Sequence, residues 1–286
     1  MKRILMVLFL VNANLLFSQQ IELMNKFSFE QHTVDTTVIP YRFFQPQIID
    51  NELYPLVIAM HGSGERGNDN TKQIEFHNLG TVWVDSVNQA EHPCFVVAPQ
   101  CPENNKWVDT DWKRVEYNFD STNISNELAT VINLVDSLIV QYPIDISRIY
   151  VTGLSMGGYA SWYLLMDNPN RFAAAIIFSA SADPIMACNI KDIPIWNFHG
   201  DIDVAVPVEG SRIMINAISN CGEDVLLISD PNNNVFWDSD TKIQRILSSK
   251  HIYTEYKDKG HVIWAESYNN WYVREWMFSK RIKIHH

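Results

Sequence analysis

The sequence predicts an α/β fold, a mostly parallel central sheet with helices on both faces, and three observations carry that expectation. YPLVIAMHG (54–62) and CFVVAPQ (94–100) are continuous apolar runs, the pattern of strands buried on both faces. From residue 123 onward such runs alternate with segments of helical spacing, the signature of crossover units. A chain of 286 residues that is 47% hydrophobic and 12% aromatic can also fill a large core.

Taken in order, the chain opens with Lys2 and Arg3 ahead of ILMVLFLVNANLLFSQQ, an apolar run too short and too interrupted by Asn12 and Asn14 to span a bilayer. It reads as a secretory signal peptide, residues 1–18, with cleavage near Ser18. That leaves 19–286 as a single domain in a secreted or periplasmic protein without stable membrane association. FSFEQHTVD and TVIPYRFFQPQ then form an opening pair of strands, ahead of the two buried runs. NISNELATVINLVDSLIVQYP is a helix, with Ser125 as its cap and Leu128, Ile132, Val135 and Ile139 on one face. There follow the strand RIYVTGL, a helix from Met156 to about Met166, the strands AAAIIFSAS and IPIWNFHG, the helix VEGSRIMINAIS, the strand HIYTEYK and a last helix ESYNNWYVREWMFSK. Gly222 to Ser249 interrupts this regularity and reads as an insertion.

Export permits disulfides among Cys94, Cys101, Cys188 and Cys221. An extended FVVAPQ holds Cys94 and Cys101 roughly 20 Å apart at about 3.3 Å per residue, which excludes that pair, since a bridge needs less than about 7 Å. Cys188–Cys221 stays open, and free, half-buried thiols are the expectation. A net charge of -11 supplies no basic surface for a phosphate backbone, so nucleic acid is not an expected partner.

In an open parallel sheet the chemistry sits at the carboxyl ends of the strands. After IYVT comes Gly153-Leu154-Ser155-Met156-Gly157, a G-x-S-x-G pattern at a strand-to-helix junction. The glycines make room for a strained turn that lifts the hydroxyl clear of the sheet at the amino end of a helix, where developing negative charge is stabilised. A serine needs a base oriented by an acid, in the chain order Ser, Asp or Glu, His. NFHGDIDVAVPV offers Asp201 and Asp203, between which spacing does not choose, and YKDKGHVIW offers His261. His61 precedes the serine and reads as a loop-shaping residue.

Together HGSGERG, APQCP, GLSMGG, HGDIDVAVPV and GHVIW resemble the α/β-hydrolase esterases, over about Tyr54 to Lys280. The resemblance is strongest to the secreted bacterial group related to feruloyl and acetylxylan esterases, phospholipase/carboxylesterases and prolyl-oligopeptidase-like peptidases. It implies an α/β-hydrolase fold with Ser155 as nucleophile, Asp203 rather than Asp201 as acid, and His261 as base. Gly222 to Ser249 departs from it, being longer than the usual connection. The oxyanion would be met by the Met156 amide and by an amide of the loop after LVIAMHG, Ser63 with Gly64 as the alternate. Trp107, Trp112, Trp237 and Trp264 lie in loops or the insertion, and Trp107 and Trp264 are the candidate substrate-binding aromatics.

The expected activity is hydrolysis of carboxylic esters, acyl or phenolic, on a small molecule or a carbohydrate. A serine peptidase of prolyl-oligopeptidase type is the alternative. Gly62 to Gly67 also fits G-x-G-x-x-G, which would suit a dinucleotide-dependent oxidoreductase, but polar NDNTKQIEF follows it where an apolar-periodic helix is required. Asp230, Asn232 and Asn234 imitate the start of a calcium loop whose sixth and twelfth positions, Val235 and Thr241, are wrong. The histidines lack zinc-ligand spacing, so neither a metal nor a cofactor is expected.

Overall fold

The computed structural model describes residues 18–229 and 240–283. The signal-peptide reading, the calcium-like residues Asp230, Asn232 and Asn234, and Trp237 therefore fall wholly or almost wholly outside the described residues. Within them, nine strands form one sheet: β1 Ser28–Val34, β2 Thr37–Phe44, β3 Tyr54–Met60, β4 Phe95–Pro99, β5 Ile144–Leu154, β6 Ala174–Phe178, β7 Ile195–Gly200, β8 Val225–Ser229 and β9 His251–Tyr256. Their order is β1-β2-β4-β3-β5-β6-β7-β9-β8. β2 pairs antiparallel with both β1 and β4, and every other pairing is parallel.

The unbroken apolar runs have their cause in two cores, one on each face. Along β3, Leu56, Ile58 and Met60 enter one core while Val57 and Ala59 enter the other, so polar residues are excluded from both sets of alternating positions. The first core is closed by α1 (Asn126–Gln141), α2 (Met156–Asp167) and α3 (Val208–Asn220). The second is closed by α4 (Asp240–Ser248), α5 (Trp264–Tyr268) and α6 (Trp271–Phe278).

Three expectations are corrected and one is widened. The described residues of the insertion are largely a further strand and helix: β8 extends the sheet parallel to β9, and α4 packs on the second core through Ile246. The last helix is two helices, because the Asn270 side chain accepts from the Tyr272 amide and starts α6 afresh. Ser125 caps α1, accepting from the Leu128 amide, and the expected face packs on the first core but is wider, its buried part being Leu128, Val131, Leu134, Val135 and Leu138. Ile132 and Ile139 flank it, since at about 100° per residue they sit at the edge of that arc. Finally, Cys188 and Cys221 are bonded, their Cα atoms 5.3 Å apart, and the expected four free thiols reduce to buried Cys94 and Cys101.

The bond joins a short helix between β6 and β7, Ala187–Ile190, to the carboxyl end of α3 across 33 positions of sequence. Denatured, unreduced protein is therefore expected to titrate two thiols and reduced protein four. Cys188→Ser is expected to lower unfolding stability by about 3–4 kcal/mol from the lost constraint on the unfolded chain. Thiol titration and chemical denaturation check both numbers; four thiols without reductant would exclude the bond.

Between β4 and α1 a long segment, residues 101–125, crosses the carboxyl ends of the strands. It is held largely through its main chain: Tyr159 Oη donates to the Trp112 carbonyl at 3.3 Å, Ser181 Oγ to that of Arg114 at 3.2 Å, Ser125 Oγ to that of Trp107 at 2.7 Å, and the Phe119 amide donates to Asp183 at 2.8 Å.

Candidate active site

Ser155 stands between β5 and α2 with φ 53° and ψ -121°, a left-handed backbone that a side-chain-bearing residue adopts only under constraint. The constraint comes from contact on both sides. A Cβ on Gly157 would lie 1.9 Å from the Met60 carbonyl oxygen, and one on Gly153 would lie 2.1 Å from that of Gly157, so nothing larger than glycine fits either position. The same close approach sets the amino end of α2 against the end of β3. There the amide of Met156, first residue of the helix, lacks an intrahelical acceptor.

His261 follows β9, and Gly200 at the end of β7 brings it in: a Cβ there would lie 2.2 Å from the carbonyl oxygen of Gly260. His261 Nε2 stands 2.8 Å from Ser155 Oγ, and its Nδ1 stands 2.6 Å from Asp203 Oδ2. Asp203 Oδ1 accepts from the amides of Ala205 and Val206 at 2.8 and 3.0 Å. The aspartate side chain is fully buried. Burial disfavours its charge, but hydrogen bonds from His199, His261 and the Val206 amide outweigh it and hold the carboxyl well below the usual carboxylate range. Nδ1 of His261 thus carries a proton toward an anion, and Nε2 is left to accept from the serine hydroxyl. Asp201, two residues earlier, instead donates its amide to the Tyr256 carbonyl, and its Oδ1 is buried without a hydrogen-bond partner.

The remaining sequence candidates divide. Ser63 opens a three-residue helical turn, Ser63–Glu65, behind Gly62. This turn does not lead into a crossover helix, only to a four-residue helix at Lys72–Glu75, so the segment lacks the strand-to-helix geometry of a dinucleotide loop. Trp107 is corrected: it is fully buried, its indole N–H donating to the His61 carbonyl at 3.3 Å, and it braces the loop from beneath instead of facing a substrate. Trp264 is only 6% exposed and packs edge-on against the His261 ring, centroids 5.2 Å apart, so its first task is to seat the base.

One residue, His77, escaped sequence reasoning. His77 lies edge-on to Trp264 at 4.5 Å and 3.5 Å from the Glu65 carboxylate, placed there by two consecutive left-handed residues, His77 and Asn78. Burial disfavours the charge of Glu65, yet contact with His77 holds the carboxyl below its ordinary value. His61 is buried; its Nε2 accepts from the Cys101 amide at 2.9 Å and its Nδ1 donates to the Gly62 carbonyl at 2.6 Å, tying the ends of β3 and β4 together. Burial pushes its pKa down to about 4, so it stays neutral. Among the described residues no group of three or more His, Cys, Asp or Glu is arranged to hold a metal ion.

A mostly parallel sheet flanked by helices, with a strained serine after its fifth strand, defines the α/β-hydrolase fold. Within that class the chain belongs to the phospholipase/carboxylesterase family, whose pattern matches residues 48–232. The crystal structure of a thermostable esterase is similar at 35% identity and a TM-score of 0.77, over 91% of this chain and 64% of that one. An Aspergillus clavatus protein described as a probable acetylxylan esterase A is 27% identical over 107 residues, 37% of this chain and 33% of that protein. The chain thus matches about a third of the length of the curated relative and spans just under two thirds of the thermostable esterase. A ferulic acid esterase shares the fold at 15% identity and a TM-score of 0.60, covering 88% of this chain and 98% of that one.

Proposed function

We propose that the protein is a secreted serine hydrolase that cleaves carboxylic esters through an acyl-enzyme on Ser155. The observation that carries this reading is the unbroken line from Ser155 Oγ through His261 to Asp203, with contacts of 2.8 and 2.6 Å. His261 takes the hydroxyl proton as Oγ bonds to the acyl carbon, then passes it to the departing alkoxide as the old ester bond breaks. Water repeats the sequence in reverse roles and releases the acid. Asp203 fixes the tautomer and balances the imidazolium. The amides of Met156 and Ser63 receive the oxyanion.

Exposed aliphatic side chains follow three adjacent strands at the same end of the sheet: Ile185 after β6, Val204 after β7 and Val262 after β9. They supply apolar surface around the triad and favour an ester with an apolar or aromatic portion, on a small molecule or a carbohydrate. The names of similar proteins, an acetylxylan esterase and a thermostable esterase, agree with an ester substrate. Secretion is supported by the amino-terminal pattern and by a disulfide, which needs an oxidising compartment to persist.

Purified protein is expected to turn over p-nitrophenyl acetate and butyrate, and to act on feruloyl esters or acetylated xylan. Prolyl anilides are expected to be inert. Turnover of the anilides with none of the esters would replace this reading with the peptidase one.

A further inference from the structure

We propose that His199 is a positioning residue for Asp203, holding the carboxylate oxygen that faces His261. The proposal rests on the triad reading above and extends it to a residue outside the triad. His199 is the penultimate residue of β7, four positions before Asp203, and is completely buried. Its Nε2 stands 3.1 Å from Asp203 Oδ2 and 3.1 Å from the Val206 carbonyl oxygen. Both neighbours can only accept, so Nε2 bears a hydrogen shared between them. Its Nδ1 stands 2.7 Å from the hydroxyl of Ser211, which is buried on α3. With Nε2 protonated in the neutral ring, the hydroxyl donates to Nδ1, its shortest contact, ahead of the Ala180 carbonyl oxygen and Asn197 Oδ1 at 3.3 and 3.4 Å.

The consequence is a carboxylate with every acceptor position filled. Oδ1 takes two amides, and Oδ2 takes His199 and His261. Because His199 and His261 share one oxygen, His199 draws off part of the charge that His261 would otherwise meet alone, and it prevents rotation of the carboxylate away from Nδ1. The other ionisable groups near the ring do not supply this function. Glu255, its register partner on β9, is engaged by Arg212 from α3 and by Tyr253, and Arg212 also pairs with Glu209.

Two polar variants separate positioning from mere packing. In His199→Gln the amide nitrogen falls near the place of Nε2 and can still donate to Oδ2, whereas in His199→Asn it falls near Nδ1 and cannot reach. His199→Gln is expected to keep kcat on p-nitrophenyl acetate within about threefold of wild type, with the acid limb of kcat/KM against pH unmoved. His199→Asn is expected to lose about tenfold or more in kcat. Its acid limb should move upward by about half a pH unit, because an Oδ2 with one donor fewer holds the proton on His261 to higher pH.

The low-field proton resonance of the His261–Asp203 hydrogen bond provides a readout independent of turnover. It is expected to shift in His199→Asn and to stay in His199→Gln. Equal losses in both variants with an unmoved limb and resonance would make His199 structural only and overturn the proposal, as would wild-type behaviour of His199→Asn. A wild type inactive on all esters would instead sink the functional reading, with the resonance comparison still deciding the role of His199.

Discussion

Ser155→Ala is expected to lower kcat on p-nitrophenyl esters by about a million-fold and to abolish labelling by a fluorophosphonate, while the domain stays folded. The loss is so large because Oγ is the atom that would bond to the acyl carbon and is the group hydrogen-bonded to His261 Nε2. The fold survives because the strain at φ 53° belongs to the backbone and its glycine neighbours, and alanine inherits the same turn. Only the contact with a partly exposed imidazole disappears, a change of about 1 kcal/mol. Retained turnover or labelling in a folded Ser155→Ala protein would remove the serine from the mechanism.

Asp203→Asn is expected to cost about ten-thousandfold in kcat, for a reason that the surrounding donors make specific. The Ala205 and Val206 amides require an oxygen at Oδ1, so the new NH2 must take the place of Oδ2. There it donates to His261 Nδ1, forcing the imidazole proton onto Nε2, where it points at the serine and blocks proton acceptance. It also opposes the N–H of His199. Asp201→Asn has no such effect and is expected to remain within severalfold of wild type. Steady-state kinetics of the two variants decide the matter; a crippled Asp201→Asn beside a mild Asp203→Asn would reassign the acid.

What the sequence made legible follows from how local each feature is. The strands of the central sheet announce themselves because burial on both faces leaves no polar position, and the elbow because its glycines are demanded by contacts within a few ångströms. Asp203 and Asp201 were inseparable by spacing: both follow β7, and only the capture of Oδ1 by the next amides aims one of them at His261. The resemblance to a family made that choice. β8 was hidden because VLLIS is short and its edge position leaves Val225, Leu226 and Leu227 partly or largely exposed. Trp107 misled because a tryptophan in a loop carries no mark of which way its ring turns. The disulfide depends on how two helices meet across 33 positions, which no local pattern encodes. His199 had a signal, an imidazole four residues ahead of the acid at a strand end, but its meaning required the far side of the carboxylate.

The segment from 101 to 125 has a consequence for how this molecule can diversify. Trp112, Arg114 and Phe119 are anchored there through their peptide groups, which survive a change of side chain, whereas Trp107, Val108 and Tyr117 are held by burial. Outward side chains at the first three positions can therefore be exchanged, and the surface over the strand ends altered, while the course of the main chain is kept.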